Sequence, residues 1–211
     1  NEGIAGIEKY MDNQGLKALA GYGFARSADD LEPVQLSLDL RANAAARDEL
    51  VKGLAYFKAK AAASLILDVN TGEVVSLVSL PDYDPNNPVD ALKDDRINRM
   101  IVGVFEMGST FKALTLAMGL DSGKANINST YDARGVLRIL NVPEIFIYSS
   151  NIGTARIALQ QGVSAHKAFL KKMGQLDRMR TEMPESSAPL LPPNWGELST
   201  ITISYGHGLA V

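Results

Sequence analysis

Ser109 and Lys112, three residues apart, are the side chains of this sequence best suited to chemistry. Residues with this spacing share one face of a helix, so the lysine amine lies within reach of the serine hydroxyl. Burial of a lysine disfavours its charged form, and the neutral amine has a lone pair that accepts the hydroxyl proton. The pair therefore predicts a nucleophile with its own base, which is suited to acyl transfer.

The same spacing occurs at Ser164 and Lys167, and the sequence context separates the two pairs. Lys167 precedes two further lysines in a segment typical of an amphipathic helix with a solvated basic face, and Ser164 occupies its N-cap position. Residues 111–120 are instead almost entirely apolar, with Lys112 as their one charged residue. This pattern predicts a buried central helix, in which an isolated lysine needs a functional explanation.

Ser149 and Asn151 form a second candidate motif, the one Ser-x-Asn spacing of the chain. Taken alone, the motif is typical of the N-cap of a helix that begins at Ile152. Beside a serine–lysine pair it has another interpretation, because a hydroxyl and an amide two residues apart in a bend can both face a cleft. The hydroxyl would then relay a proton to a leaving amine, and the amide would bind a peptide bond of the substrate.

Composition restricts the classes of function. The 211 residues, 46% of them hydrophobic, suffice for one large domain, or one domain and a fragment of another. The net charge of −3 argues against binding to nucleic acid or to an anionic membrane surface. The chain has no cysteine, and its two histidines, His166 and His207, lack metal-ligand spacing, so we expect neither a metal nor another cofactor. It also has no run of 18 apolar residues, so we expect no membrane span within it.

The elements that position these motifs are predicted from periodicity and turn chemistry. The clearest is a hairpin with strands at 64–69 and 73–79. A strand is also predicted at 34–40, and a short strand or the start of a buried helix at 200–205. Helices are predicted at five segments, 4–11, 43–60, 109–122, 141–161 and 164–174. This combination favours an α+β architecture with helices packed on an antiparallel sheet.

The two motifs, about 40 residues apart in this order, resemble those of the penicillin-binding-protein and serine β-lactamase superfamily. The resemblance extends over nearly the whole chain. Six blocks resemble successive segments of class B penicillin-binding proteins, namely 65–74, 79–88, 98–99, 105–112, 148–154 and 205–209. They most resemble the division-specific type, the septal peptidoglycan transpeptidase of Gram-negative bacteria. Residues 6–12 resemble the end of that family's N-terminal module.

The resemblance implies a penicillin-binding-protein/serine β-lactamase-like transpeptidase fold, an antiparallel sheet packed between helices, incomplete in this chain. Residues 1–33 would end a non-catalytic N-terminal module and its linker, and residues 34–211 would form the N-terminal and central part of the transpeptidase domain. The family's third motif, Lys-Thr-Gly, is not in the sequence. Residues 131–141 are shorter than the family's segment, which suggests that the natural protein carries further residues near Arg138. We therefore expect the chain as written to be catalytically incomplete.

The resemblance also implies a function, a peptidoglycan D,D-transpeptidase that cross-links stem peptides through a serine acyl-enzyme during septal wall synthesis. Ser109 would be the nucleophile, Lys112 its base, Ser149 the proton relay and Asn151 a substrate-binding group. β-Lactams would acylate the same serine. Implied partners are stem peptides ending in D-Ala-D-Ala and division proteins, including a septal glycosyltransferase. A single N-terminal anchor in the inner membrane, outside this chain, would leave the catalytic domain in the periplasm.

Three alternatives remain at the level of sequence. A serine β-lactamase needs a carboxylate that activates the deacylating water, and the Glu-x-x-x-Asn pattern of such enzymes does not occur in the chain. A non-enzymatic β-lactam-sensing receptor domain shares both motifs, but the hairpin and residues 82–87 favour the septal type. A structural scaffold would not be acylated at all. His207, between two glycines, is expected to form a backbone bend, and Trp195 to be a packing anchor.

Overall fold

The computed structural model describes residues 3–12, 34–135 and 138–211. The chain divides into two compact units, and unit 1 consists of Asn1–Gly103 and Arg180–Ser187. Unit 2 consists of Val104–Met179 and Ala188–Val211. Most of the expected N-terminal module end and linker at 1–33 lies outside the described residues. Within its described part, helix α1 (Gly6–Met11) occupies the segment predicted as helical at 4–11.

Unit 1 is built on helix α2 (Leu40–Phe57), strand β1 (Ala62–Leu67) and strand β2 (Val74–Leu80). The Asp39 carboxylate caps α2 by accepting hydrogen bonds from the first backbone N–H groups of the helix. On the helix, the Asn43 side-chain oxygen accepts hydrogen bonds from Ser76 Oγ (2.7 Å) and Leu77 N (3.0 Å) of β2. The helix predicted at 43–60 is thus confirmed, and it begins earlier because Asp39 supplies the cap.

The two strands form the predicted antiparallel hairpin. Its register runs from Ala62 opposite Leu80 to Leu67 opposite Val74, with an irregularity between Ile66 and Leu67. The strand predicted at 34–40 is wrong. Ser37 and Asp39 each donate one hydrogen bond to the start of β2, but no ladder continues and α2 begins at Leu40. The alternating residues lie directly before α2. The Asp39 carboxylate there bonds the first backbone N–H groups of the helix, so these groups need no partner strand.

Unit 2 is organised around helix α3 (Lys112–Asp121), which follows a 3-10 turn at Gly108–Phe111. Its first turns contribute to two apolar clusters. One cluster consists of the buried residues Leu116, Ala133, Leu140, Val142, Ile145 and Ile157. The other consists of Phe111, Leu170, Ile203 and Leu209, with Leu114 and Trp195 packed against it. The expectation of a buried central helix is confirmed, as is the packing role of Trp195, whose Nε1 donates to Thr200 Oγ1.

Close approach of α3 to a second helix sets the geometry of unit 2. The single helix predicted at 141–161 is wrong, because the structure has α4 (Val142–Ile147) and α5 (Asn151–Gln161). Helix α3 packs against α5, and a Cβ added at Gly119 would lie 2.8 Å from Cγ2 of Ile157. The glycine therefore lets the two helices lie closer than any side chain would allow.

Two further helices and two short strands belong to unit 2. Helix α6 (Val163–Lys172) confirms the helix predicted at 164–174, and α7 (Glu197–Ser204) shows that the strand alternative at 200–205 is wrong. Strands β3 (Thr130–Asp132) and β4 (Ile139–Asn141) form a short antiparallel pair. Across the described residues, no helix combines the length and the apolar character that crossing a bilayer requires.

His166 on α6 is a buried titratable group of unit 2. It is fully buried, and neither ring nitrogen has a hydrogen-bond partner among the described residues. Its ring packs in a T-shaped arrangement with Trp195, with the ring centroids 6.0 Å apart. Burial disfavours the imidazolium and lowers the pKa of His166 from 6.5 to about 4.

We expect this buried imidazole to make unit 2 less stable in acid. As the pH falls, the unfolded chain binds a proton near pH 6.5 and the folded chain only near pH 4, so the free energy of unfolding decreases between these values and then levels off. The total loss is about 3 kcal/mol, at about 1.4 kcal/mol for each pKa unit. His166→Leu, with a comparable volume and no titrating group, should lack this loss.

Urea unfolding followed by the fluorescence of Trp195, the one tryptophan of the chain, gives the free energies at the two ends of this pH range. The same pH dependence in the wild-type and His166→Leu proteins would contradict the prediction.

Candidate active site

Ser109, Lys112 and Ser149 lie together in unit 2. The Lys112 Nζ atom lies 3.1 Å from Ser109 Oγ and 2.7 Å from Ser149 Oγ. It also donates a hydrogen bond of 2.5 Å to the backbone oxygen of Ser149. One amine thus joins two hydroxyl groups that come from separate segments of the chain.

The nucleophile candidate lies where the 3-10 turn enters α3. The turn spans Gly108–Phe111, and Lys112 is the first residue of the following α-helix. Thr110 Oγ1 donates to Met107 O (2.7 Å) and closes the turn. Because the first N–H groups of a helix have no acceptor within it, the N–H of Ser109 is available to a ligand at the positive end of the helix dipole.

Burial controls the protonation of Lys112. The residue is only 1% exposed, and loss of hydration lowers its pKa from the ordinary value of 10.5. Among the described residues, no carboxylate forms an ion pair with this amine. A neutral amine has two N–H donors and one lone pair, and the Ser149 carbonyl must receive one of the donors. The two hydroxyls can therefore share the other donor and the lone pair, which allows the lone pair to face Ser109.

A tight bend between α4 and α5 presents Ser149. Its φ of +51° lies in the left-handed region, which costs a non-glycine residue about 1–2 kcal/mol. Ser149 N donates to Phe146 O at the end of α4, and Ser150 Oγ caps α5 by accepting from Gly153 N (3.1 Å). Both helix ends are thereby satisfied, and the bend directs the carbonyl and the hydroxyl of Ser149 toward the same amine.

Asn151 is the first residue of α5 and is exposed. Its amide makes no hydrogen bond to Ser109, Lys112 or Ser149, nor to any other residue that the structure describes. The structure thus brings Ser109, Lys112 and Ser149 into contact. The fourth predicted site residue, Asn151, is two residues from Ser149 in the sequence, and its side-chain amide is free to bind a ligand. The N-cap of the helix is Ser150, one residue earlier than the capping interpretation of the motif requires.

Sequence reasoning missed Glu106. Its Oε2 lies 2.7 Å from His207 Nδ1, and its Oε1 accepts a 2.7 Å hydrogen bond from Gly208 N. The expected backbone bend at His207 is confirmed, since the glycines on both sides have positive φ. No spacing in the sequence connects positions 106 and 207, so this contact is visible only in the fold.

The arrangement supplies what acyl transfer by a serine requires. The Ser109 hydroxyl can act as a nucleophile, the buried amine in contact with it can act as a base, and Ser149 is a second hydroxyl that can pass a proton. In the three described stretches of the chain, no cluster of three or more His, Cys, Asp or Glu side chains is placed to hold a metal ion.

Comparisons with known proteins agree with this geometry. The transpeptidase domain family of penicillin-binding proteins matches residues 62–211. A probable peptidoglycan D,D-transpeptidase FtsI of Caulobacter vibrioides is 38% identical, over 100% of this chain and 37% of that protein. A probable peptidoglycan D,D-transpeptidase PenA of Neisseria flavescens is 37% identical, over 82% of this chain and 47% of that protein. The chain thus spans less than half the length of these relatives.

A solved structure extends the likeness to the fold. The transpeptidase domain of penicillin-binding protein 3 from Burkholderia pseudomallei matches with a TM-score of 0.71 and 28% identity, over 89% of this chain and 56% of that one. The fold class and the Gram-negative, division-specific resemblance predicted from the sequence are confirmed. Three contacting motif side chains, a matching domain and a shared fold lead to one conclusion: the chain belongs to the penicillin-binding protein transpeptidase family.

Proposed function

We propose that the intact protein is a peptidoglycan D,D-transpeptidase that cross-links stem peptides through an acyl-enzyme on Ser109. The observation that carries the proposal is the buried Lys112 amine in contact with the hydroxyls of Ser109 and Ser149. The names of the similar proteins from Caulobacter and Neisseria support the same activity. Residues 34–211 would be part of the transpeptidase domain, and residues 1–33 the end of the preceding module and linker.

In the first step, Ser109 Oγ attacks the carbonyl carbon of the penultimate D-alanine of a stem peptide. The lone pair of Lys112 accepts the hydroxyl proton as the new C–O bond forms, across the observed distance of 3.1 Å. Negative charge develops on the carbonyl oxygen, and the N–H of Ser109 is one donor that stabilises it. The lysine is now an ammonium in a buried site, so it readily gives the proton away again.

In the second step, the C–N bond breaks and the terminal D-alanine leaves as an amine. Its nitrogen needs a proton, and Ser149 Oγ, 2.7 Å from the Lys112 amine, can pass one on. The exposed amide of Asn151 would hold the backbone of the acyl donor during both steps. An amine of a second stem peptide then attacks the ester carbonyl, and the released Ser109 oxygen regains a proton through the same lysine.

The biological setting of this reaction is part of the proposal. β-Lactams would acylate Ser109 because they imitate the D-Ala-D-Ala terminus. The likeness to FtsI proteins supports a role in septal wall synthesis, with division proteins, including a septal glycosyltransferase, as partners. A membrane anchor outside this chain would leave the catalytic domain in the periplasm.

Replacement of the nucleophile is the first test. In full-length protein, Ser109→Ala should abolish covalent labelling by a fluorescent penicillin, because no hydroxyl remains next to Lys112. Ser164→Ala is the matched control, since it removes the serine of the other Ser-x-x-Lys spacing and should leave labelling unchanged. Labelling of the Ser109→Ala protein at the wild-type rate would exclude the assignment. Rapid loss of the label from the wild type would favour a β-lactamase instead.

The protonation state of Lys112 should govern the pH dependence of acylation. Below its folded-state pKa the amine is an ammonium without a lone pair, so the acylation rate should rise with pH and level off above that pKa. Since burial lowers this pKa, the midpoint should lie below 10.5. Lys112→Arg, which stays charged, should slow acylation by about 10²–10⁴-fold.

Stopped-flow mixing with a penicillin across the pH range measures both effects. Lys167→Arg is the matched control, because that lysine lies over the ring of Trp195 rather than against a serine hydroxyl, and arginine preserves the contact. A rate that does not change with pH, or an unimpaired Lys112→Arg protein, would contradict the assigned base.

A further inference from the structure

We propose that Glu106 is a positioning residue for Ser109, because its carboxylate holds the turn 206–208 and that turn holds the peptide group preceding the nucleophile. We call Glu106 with residues 206–208 the Glu106 clamp. This inference rests on the proposed function, since it concerns the rate at which Ser109 is acylated.

The Glu106 carboxylate contacts the turn 206–208 at two points. Oε1 accepts from the backbone N–H of Gly208, and Oε2 faces the ring of His207, each at 2.7 Å. The Gly208 N–H first, and His207 second, lower the pKa of Glu106, so both oxygens are available as acceptors near neutral pH. A backbone contact and a side-chain contact from one planar group fix both the position and the orientation of the turn.

Residues 206–208 also contact the segment that carries Ser109. Gly108 N donates to Gly206 O (3.0 Å), and a Cβ added at Gly206 would lie 2.1 Å from Gly108 O. The backbones of these two glycines therefore touch, and only glycine is compatible with position 206. Next to Glu106, Phe105 and Val211 exchange two backbone hydrogen bonds of 3.0 Å each.

These contacts bear on the chemistry through the peptide between Gly108 and Ser109. Its N–H is the oxyanion donor proposed above, so any rotation of this peptide moves the donor relative to the developing charge. Gly108 has a positive φ of 57°, and a glycine resists such rotation less than other residues do. External contacts must therefore hold the peptide in place. The Glu106 clamp supplies them on both sides of Gly108: Gly206 O accepts from Gly108 N, and the Gly206 backbone packs against Gly108 O, the oxygen of the Gly108–Ser109 peptide.

The expected effects on stability and on rate distinguish a positioning role of Glu106 from a purely stabilising one. Glu106 and His207 are 45% and 67% exposed in their side chains, and exposed pairs contribute little to stability. The backbone bonds around them, including the pair between Leu190 and Ala210, do not depend on the carboxylate. Loss of the carboxylate should therefore leave the fold intact, whereas a displacement of about 1 Å at a reacting group can slow a reaction about 100-fold.

The test measures the non-covalent affinity for a fluorescent penicillin and the acylation rate constant separately, in full-length protein. Glu106→Ala should slow acylation about 10- to 100-fold and change the affinity less than about threefold. Glu106→Gln should restore the rate to within about threefold of the wild type. Its amide oxygen can accept from Gly208 N, and its NH₂ group can donate to His207 Nδ1 in the other ring tautomer.

Asp132→Ala is the matched control. That carboxylate, also in unit 2, accepts from a backbone N–H (Arg134 N, 3.0 Å) and pairs with a basic side chain, but it contacts no part of the Glu106 clamp. Its acylation rate should equal that of the wild type. Hydrogen–deuterium exchange of a peptide covering 104–111 gives a second readout that needs no activity, and it should be faster in Glu106→Ala and normal in Glu106→Gln.

The outcomes are distinct. A Glu106→Ala protein that is acylated at the wild-type rate would overturn the proposal. So would a Glu106→Ala protein that loses only affinity for the penicillin, because that result indicates direct contact between Glu106 and the ligand. A Glu106→Gln protein as slow as Glu106→Ala would show that the charge matters rather than the position. An unlabelled wild type would refute the proposed function instead, and exchange at 104–111 would then decide the clamp alone. If Glu106→Ala does not fold, His207→Ala should slow acylation by more than about threefold, and a rate within about threefold of the wild type would overturn the proposal.

Discussion

The burial of one amine, Lys112, is the constraint on which the rest of the site depends. A charged lysine with no carboxylate partner among the described residues is costly inside a protein, and the neutral form reduces this cost. The carbonyl and hydroxyl of Ser149 supply the polar contacts that the amine needs, and Ser109 supplies the remaining one. The same contacts that make the burial tolerable also place the amine beside the Ser109 hydroxyl.

Two apolar clusters include residues of the helix that begins with Lys112. Leu114 packs against one cluster and Leu116 belongs to the other, so α3 is held from both sides. Rigid helices on either side of the site allow strain to persist where it is useful. The left-handed backbone of Ser149 is such a case, since the capped ends of α4 and α5 hold it there.

The sequence was sufficient for the pair at 109 and 112, because helical spacing and an apolar context are both local properties. It was also sufficient for the hairpin, whose turn residues and alternation are local as well. It failed in two ways. The break at Tyr148–Ser150 lacks a proline or glycine, so the local capping of α5 by Ser150 has no strong signal in the sequence. Other contacts join residues that are far apart in the chain. Glu106 and His207 meet only because the chain returns to the start of unit 2 after 101 residues.

The glycine at position 119 shows how a substitution outside the site could change the geometry of the site. Where α3 packs against α5, Gly119 presents only a hydrogen atom to the Cγ2 methyl group of Ile157. A methyl group placed there acts as a wedge between the helix that bears Lys112 and the helix that follows Ser149. It lies outside the hydrogen-bonded triad, yet it would widen the gap across which a proton has to move. Under the proposed function, a substitution at position 119 would thus slow the acylation of Ser109 without touching the bound substrate.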